Sequence, residues 1–416
     1  MKNLFTKYIP HGLMVMVVIV SICAFVAKIG YSSTYMDPMT QVLNNFNMTD
    51  TYFQIMNDNS DEQMDVNFDV VMYDLSGCYS RSEIAFGIQR LYDLGAKVIA
   101  LDVIFGPNSQ DTLANDSLQR VMNRCKDRVI AACRMVPNYD TFIKEESYFV
   151  KESGCPEGCV NISNETVRNF SKTVKFGDTT LSTYVNEIMK IAYPDIQKKW
   201  EERGDGEELI NYKQTLFEKY HIYDELYPED VKDKIFLVGD FQDLRDFHDI
   251  PVKINGTRRI CGTTIHGYSI STLTKDGRLI DNMTENQALL LGFIVTLIFC
   301  IIYCWLNEVY NDYSGFLSTS LQLIIMLSLV FVAGYLFIEK QYNVRLLYAL
   351  LGTGLAGYAA EIFYFIWLRI KKMLGQKTPD VIVKDEPTVS ASEGAAVSNE
   401  NANVSAAETT IDNEKK

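Results

Sequence analysis

The stretch Val98-Ile-Ala-Leu-Asp-Val-Ile-Phe105 is apolar on both of its faces except at Asp102. A strand of this kind is typical of the centre of a parallel sheet that helices cover on both sides. Residues 68–74 before it and 128–132 after it are also short and rich in apolar residues. Apolar residues at helical spacing separate these segments, which gives a β-α-β-α-β succession. The sequence therefore predicts an α/β fold, with a mostly parallel sheet and flanking helices.

The remainder of this region is less regular. Residues 234–239 predict a further buried strand, and residues 264–274 predict a final helix. Residues 136–180 are polar and predict loops with short strands, whereas the charged segment 195–222 has apolar spacing that predicts surface helices. The chain shows no internal repeat.

Four apolar runs, uncharged except for one acid in the last, surround this region, and each is close to the roughly 20 helical residues that a bilayer core requires. We interpret the first run as a retained anchor, because no small-residue cleavage site follows it. The resulting division is 1–29, a short cytoplasmic tail with the first span; 30–285, an extracytoplasmic domain; 286–307, 313–338 and 346–368, three further spans; and 369–416, a disordered cytoplasmic tail.

Basic residues near both chain ends predict that both termini are cytoplasmic. Lys2 and Lys7 precede the first span, and Arg369, Lys371 and Lys372 follow the last. The positive-inside rule places such flanks in the cytoplasm, although the short loops between the later spans follow it poorly. This arrangement leaves residues 30–285 outside the plasma membrane.

The formal net charge of the chain is −14. Such an excess of acid disfavours nucleic acid and anionic lipid as partners. Solubility outside the cell accounts for the acidity, and a cation-attracting surface remains a second interpretation.

The chain has nine cysteines, of which six lie in the predicted outer domain. An even number in an oxidising compartment suggests disulfides, and six cysteines allow 15 pairings. Only Cys155-Pro-Glu-Gly-Cys159 is close enough in sequence to name as a pair, so we predict a disulfide there. A metal site at this pair is disfavoured, because two thiols supply only half of the ligands that zinc prefers.

Polar residues at the predicted strand ends are candidates for ligand binding. Asp74, Asp102 and Asp240 lie at or near the carboxyl ends of predicted strands, where ligands bind in open α/β sheets. Asp246 and His266 are placed to join them. The competing interpretation is structural, since such aspartates often cap the next helix or pin a loop, and His266 is placed to cap the helix that it opens. No nucleophile elbow, zinc-protease or phosphate-loop motif occurs, so we predict no enzyme activity, no metal and no cofactor.

Several segments together resemble the CHASE domain, type 2, an extracytoplasmic sensory domain of bacterial membrane receptors. They occur in the family's order, and they are residues 70–74 followed by Arg81; residues 95–105; residues 234–239 followed by Asp246 and Pro251; and Gly262-Thr-Thr-Ile-His266. Arg81 joins the candidate ligand-binding residues through this match. The sequence departs from the family where Gly77-Cys-Tyr-Ser80 replaces a tryptophan-rich stretch and where Gly267 follows the histidine.

The resemblance implies a multi-pass receptor of the bacterial inner membrane that senses an unknown ligand. Family members usually end in a catalytic output domain, whereas the predicted tail is shorter than such domains. We therefore expect signalling through a separate effector protein or through self-association of the membrane helices. Two alternatives stay open: a membrane-anchored envelope scaffold or assembly protein, and an outward-facing metal-assisted hydrolase that uses the aspartate cluster.

Glu361 is the single acid within the last apolar run. An intramembrane carboxylate suggests function, because its burial in lipid is costly. The structural alternative to a role in signalling is that Glu361 faces the interior of the helix bundle and contributes to its packing.

Overall fold

The computed structural model describes residues 7–30, 48–58, 65–78, 80–106, 111–139, 141–162, 166–276, 278–310 and 314–374. The helices are α1 (Ile9–Gly30), α2 (Met48–Asp58), α3 (Arg81–Asp93), α4 (Thr112–Cys125), α5 (Val150–Ser153), α6 (Tyr184–Ala192), α7 (Pro194–Glu202), α8 (Pro228–Val231), α9 (Gly262–Thr274), α10 (Glu285–Val309), α11 (Ser314–Lys340) and α12 (Leu347–Met373), with a 3₁₀ turn at Leu244–Asp246.

The strands are β1 (Asp65–Asp74), β2 (Val98–Leu101), β3 (Val129–Asn138), β4 (Thr141–Glu146), β5 (Glu157–Cys159), β6 (Asn169–Phe170), β7 (Thr173–Phe176), β8 (Thr179–Ser182), β9 (Glu208–Leu209), β10 (Thr215–His221), β11 (Ile235–Gly239), β12 (Phe247–Ile254), β13 (Thr257–Cys261), β14 (Asp281–Asn282) and β15 (Tyr342–Asn343).

The main sheet has the strand order β10-β1-β11-β2-β3-β4, and β5 also pairs with β3. All of its pairs are parallel except β3 with β4. Side chains that alternate along the central strands enter two different cores, because successive residues of a strand point to opposite faces. Val71 and Ile99 pack on the side of α3 and α4, whereas Val70 and Val98 pack on the side of α6 and α9. The predicted α/β class with flanking helices is confirmed.

One predicted helical segment is partly wrong. Residues 194–202 are helical as expected, but β10 lies within the remainder of the segment and forms the edge of the sheet beside β1. From Leu216 onwards its residues are exposed or only partly buried, as expected of a strand at the edge of a sheet. The apolar spacing that we interpreted as helical came from two different elements.

Among the described residues, three helices rather than the predicted four are long and apolar enough to cross a membrane: Glu285–Val309, Ser314–Lys340 and Leu347–Met373. The described apolar part of the first helix, Ile9–Phe25, is shorter. At 1.5 Å per residue it covers about 26 Å, slightly less than the roughly 30 Å hydrocarbon core. This helix packs against α10, where Lys7 Nζ lies 2.5 Å from Glu308 Oε1. The disordered tail was predicted to begin at residue 369, but α12 continues to Met373. The part of the predicted tail after residue 374 lies outside the described residues.

A third core joins the outer domain to the membrane helices. Tyr52 and Phe53 of α2 pack against Phe337 near the end of α11, with ring centroids 5.3 Å and 5.0 Å apart. The Tyr52 hydroxyl donates to the carbonyl of Val330 at 3.2 Å. The outer domain therefore rests directly on the second long apolar helix.

Candidate ligand-binding site

A charged cleft of about 990 Å³ opens at the carboxyl ends of β2 and β11. This is the edge at which ligands bind in open parallel sheets. The side chains and backbone that line the cleft come from the loops after β2 and β11, from the β3–β4 hairpin and from the start of α9. They are Asp102, Val103, Ile104, Gly106, Arg134, Lys144, Glu145, Glu146, Lys151, Val160, Asp240, Asp243, Arg245, Asp246 and Thr263.

Asp102 lies where β2 ends, half-buried at the wall of this cleft. Its backbone N–H donates to the carbonyl of Val238 at 2.8 Å. The Thr263 hydroxyl donates to its carboxylate at 2.7 Å, which ties the strand end to the first turn of α9. Burial, and to a smaller extent the nearby carboxylate of Asp246, raise the pKa of Asp102 to about 7. The group is therefore set to exchange a proton near neutral pH.

Asp246 also lines the cleft, close to Asp102. Its carboxylate accepts hydrogen bonds from the backbone N–H of Gly262 and from the Cys261 thiol, both at 3.0 Å. Burial alone would raise the pKa of Asp246, but the interactions with His248 and Cys261 outweigh it and hold the pKa below its ordinary value. Two neighbouring carboxylates thus differ in protonation, an arrangement that lets one site present both an acceptor and a donor.

His266 lies behind the cleft on α9 and is buried. Its ring is 5.1 Å from the ring of Tyr184. Burial lowers the pKa of His266 to about 4, so the imidazole is neutral. Among the described residues, neither its Nε2 nor the Tyr184 hydroxyl has a hydrogen-bond partner. Unsatisfied buried polar atoms are uncommon and often mark a functional site.

A second cavity of about 490 Å³ is lined by His266 together with Cys159, Asn161 and Ser269. Val160, between Cys159 and Asn161, lines the charged cleft instead. The chain leaving β5 therefore forms a wall shared by the two cavities.

The other predicted residues divide between the cleft and the surrounding structure. Asp240 lines the cleft and accepts a hydrogen bond from the backbone N–H of Gln242 at 2.9 Å. Asp74 is buried outside the cleft lining, where Lys219 Nζ lies 2.8 Å from its carboxylate and the N–H of Ser76 donates to it. The carboxylate therefore has a structural role: it pins the loop that follows β1 and does not cap α3, whose N-cap is Ser80.

Arg81 also lies outside the cleft lining. Its guanidinium donates to the carbonyl of Gly106 at 2.8 Å and lies over the rings of Phe105 and Phe149. These contacts hold the loop after β2, so Arg81 shapes the cleft from behind.

Sequence reasoning missed the basic side of the cleft. Arg134 and Lys144 come from the antiparallel hairpin of β3 and β4, where Arg134 pairs with Glu145 at 2.7 Å. The alternation of Thr141-Phe-Ile-Lys-Glu-Glu146 is too weak a strand signal to reveal this hairpin. Tyr184 and Thr263 were missed because nothing in their local sequence marks them as neighbours of Asp102. Within the described residues, no group of three or more His, Cys, Asp or Glu side chains is arranged to hold a metal ion.

The predicted disulfide is absent from the structure, in which Cys155 and Cys159 are both free thiols. The Cys155 thiol donates to the carbonyl of Met122 on α4 at 3.5 Å, whereas the Cys159 thiol donates to Asn161 Oδ1 at 3.2 Å. The pairing was assigned from sequence proximity, but β5 begins between the two cysteines and carries Cys159 alongside β3.

Replacing Asp102 with asparagine is expected to remove a pH dependence of stability. In the wild type the folded pKa is raised to about 7, whereas an unfolded aspartate titrates near 3.9. The folded state holds the proton more tightly than the unfolded state does. The contribution of Asp102 to the free energy of unfolding is therefore largest in acid, and it is lost as the pH rises from about 4 through about 7. Because cleft water screens part of the burial, we expect a loss of about 1–2 kcal/mol.

Melting of the full-length protein in detergent, from about pH 4.5 to about pH 8, measures this difference. Asp205→Asn, at an exposed site outside the cleft, serves as the control and should keep the wild-type slope. Equal slopes for the wild type and Asp102→Asn would show that Asp102 ionises as an ordinary surface acid.

Comparison with known families gives one match. The family model of the CHASE2 domain matches residues 22–303, which is more than half of the chain. Searches of curated proteins and of solved structures returned no match. The matched segment contains the whole main sheet, the cleft and the helix α9, in agreement with the resemblance of the strand and helix motifs. This chain therefore belongs to the CHASE2 domain family, whose domain is an extracytoplasmic sensory module of membrane receptors.

Proposed function

We propose that this chain is a bacterial inner-membrane receptor that binds a small polar ligand in the charged cleft. The observation that carries the proposal is the convergence of Asp102, Asp240 and Asp246 on one cleft at the carboxyl edge of the sheet. The cleft lies within the segment that matches a sensory domain family. We also propose that the chain senses this ligand without catalysing a reaction itself.

The charges of the cleft favour a ligand that brings hydrogen-bond donors or positive charge. Its basic side chains are already engaged, since Arg134 pairs with Glu145 and Lys144 lies between Glu146 and Glu157. Among the acids, Asp240 accepts a backbone hydrogen bond from Gln242. Organic cations and polyhydroxylated compounds match this acceptor-rich surface.

Helix α9 provides a route from the cleft to the membrane. Thr263 in its first turn binds Asp102, and the chain that leaves its end leads to α10. A ligand that prefers one position of α9 would shift the membrane helices by its difference in affinity between the two states, typically 1–3 kcal/mol.

We further propose that the output passes to a separate protein or to a second copy of the chain through the membrane helices. Glu361 is exposed on α12 rather than enclosed by the other described helices. A carboxylate at such a position is costly in lipid, and a neighbouring membrane segment with a polar group would relieve that cost.

We propose that both termini lie in the cytoplasm, an arrangement in which α1, although its apolar length is shorter than that of the other three helices, also crosses the membrane. With the sensory domain outside, α10, α11 and α12 cross inward, outward and inward, which brings Lys371 and Lys372 to the cytoplasmic side as the positive-inside rule expects. The ion pair of Lys7 with Glu308 joins the start of α1 to the end of α10, and in the proposed orientation both of these ends are cytoplasmic. Reporter fusions at the C-terminus and near residue 205 should report opposite sides of the membrane.

A ligand screen with the full-length protein in detergent tests the proposed site. We expect an organic cation or a polyol to raise the melting temperature of the wild type. Asp240→Asn should weaken its binding about 10–100-fold, because a charge-assisted hydrogen bond contributes about 1.5–3 kcal/mol. Asp205→Asn is the matched control and should bind as the wild type does. A ligand that binds all three proteins equally would place the sensory site elsewhere.

A further inference from the structure

Cys133 and Cys159 occupy facing positions on two neighbouring parallel strands. Cys133 in β3 is the register partner of Cys159 in β5. The N–H of Val160 donates to the carbonyl of Cys133 at 2.9 Å, and the N–H of Ala131 donates to the carbonyl of Pro156 at 2.9 Å, so the register is fixed on both sides of the pair. The two thiols are thus held together by the backbone itself.

The distance between β3 and β5 suits a disulfide bond between the two cysteines. Paired strands lie about 4.8 Å apart, within the roughly 4.4–6.8 Å between Cα atoms that disulfides require. Partners in register direct their side chains to the same face of the sheet. We propose that Cys133 and Cys159 form a disulfide in the extracytoplasmic compartment, and that this bond is the one the sequence misassigned to Cys155.

The protonation states of Cys133 and Cys159 favour disulfide formation. The hydrogen bond from the Cys133 thiol to the Cys159 sulfur lowers the pKa of Cys159 to about 7, against the effect of burial. The same interaction, together with burial, raises the pKa of Cys133. Because the thiolate is the nucleophile in disulfide exchange, Cys159 is the attacking residue and Cys133 is the resolving one.

The oxidant is a disulfide, either of a small molecule or of an oxidase active site. The Cys159 thiolate attacks one sulfur of that disulfide, forms a mixed disulfide and expels the first thiolate. Cys133 then loses its proton and attacks Cys159 Sγ, which forms the new bond and expels the second thiolate. Two protein thiols are oxidised while one disulfide is reduced to two thiols. Access is available, because Cys159 lines the cavity of about 490 Å³.

The bond would lie in the wall between the two cavities. Arg134, next to Cys133, lines the charged cleft, and so does Val160, next to Cys159. A disulfide there fixes the spacing of β3 and β5 and therefore the width of the wall. The inference depends on the extracytoplasmic position of the domain and is independent of which ligand the cleft binds.

Peptide mapping of the full-length protein from its native membrane tests the proposal. The protein is denatured without reductant in the presence of an alkylating agent, so that buried free thiols also react, and the digest is analysed by mass spectrometry before and after reduction. We expect a linked pair of peptides that contain Cys133 and Cys159, with neither cysteine alkylated until reductant is added. Reductant should also lower the melting temperature of the wild type by several degrees, since a cross-link constrains the unfolded chain.

Two variants separate this bond from other pairings. Cys155→Ser should leave the linked peptides and the effect of reductant unchanged, whereas Cys133→Ser should leave Cys159 open to alkylation and abolish the effect of reductant. Alkylation of Cys133 and Cys159 in the unreduced wild type would overturn the proposal, as would a link from Cys159 to Cys155. If Cys133→Ser does not accumulate, the wild-type peptide map still decides between these outcomes.

Discussion

Replacing Gly158 with alanine is expected to prevent the outer domain from folding stably. A Cβ atom at this position would lie 2.4 Å from the Cα of Tyr184 and 2.9 Å from its backbone nitrogen. These are backbone atoms at the start of α6, so a side-chain rotation does not relieve the clash, and β5 and α6 must separate. We expect a loss of about 3 kcal/mol or more in the free energy of unfolding, at the upper end for overpacked cores.

The yield and melting temperature of the full-length variant measure this loss. Gly206→Ala is the matched control, because a Cβ there has no neighbouring atom within 4 Å and the residue is exposed. The control should melt within a degree or two of the wild type. A Gly158→Ala protein that melts with the wild type would mean that β5 is not packed on α6 as described.

Arg278→Met is expected to cause the second largest loss of stability. The Arg278 side chain is only 4% exposed, yet it is a cation. Its guanidinium donates to the carbonyls of Asn211 and Lys213 and to the hydroxyls of Thr215 and Ser271, at distances of 2.8–2.9 Å. Methionine fills much of the same volume but leaves these acceptors without a donor. Breaking a buried network of this kind costs about 3–5 kcal/mol.

Melting of the full-length protein measures the effect, and Arg124→Met is the control. Arg124 is largely exposed and pairs with Asp93 at 3.2 Å on the surface, so its loss should cost less than about 1 kcal/mol. Similar melting temperatures for the two variants would show that the Arg278 network adds little beyond its apolar packing.

The central strands were predictable because all of their consecutive residues are apolar. β2 and β11 are apolar at every position and fully buried, and such runs have few alternatives in a soluble domain. β10 was missed because an edge strand is only half buried, and its apolar positions merged with those of the preceding helix. The described apolar part of α1 is shorter than the predicted first span, because that span was defined by its flanking charges rather than by its apolar length.

The candidate site was predictable only in part. Strand ends at one edge of a parallel sheet must meet, which is why Asp102 and Asp240 line the same cleft. The contact between Asp102 and Thr263 spans 161 positions along the chain, and no local pattern indicates it. The pairing of Cys133 with Cys159 depends in the same way on strand register, which a single sequence specifies weakly.

The short pairing of β14 with β15 has a mechanical consequence for this protein. Asp281 and Asn282, just before α10, are joined to Tyr342 and Asn343, just after α11. The chain leaving the outer domain is therefore fastened to the outer ends of two membrane helices together. A displacement of this segment would therefore be transmitted to the ends of both helices together, rather than to one helix alone.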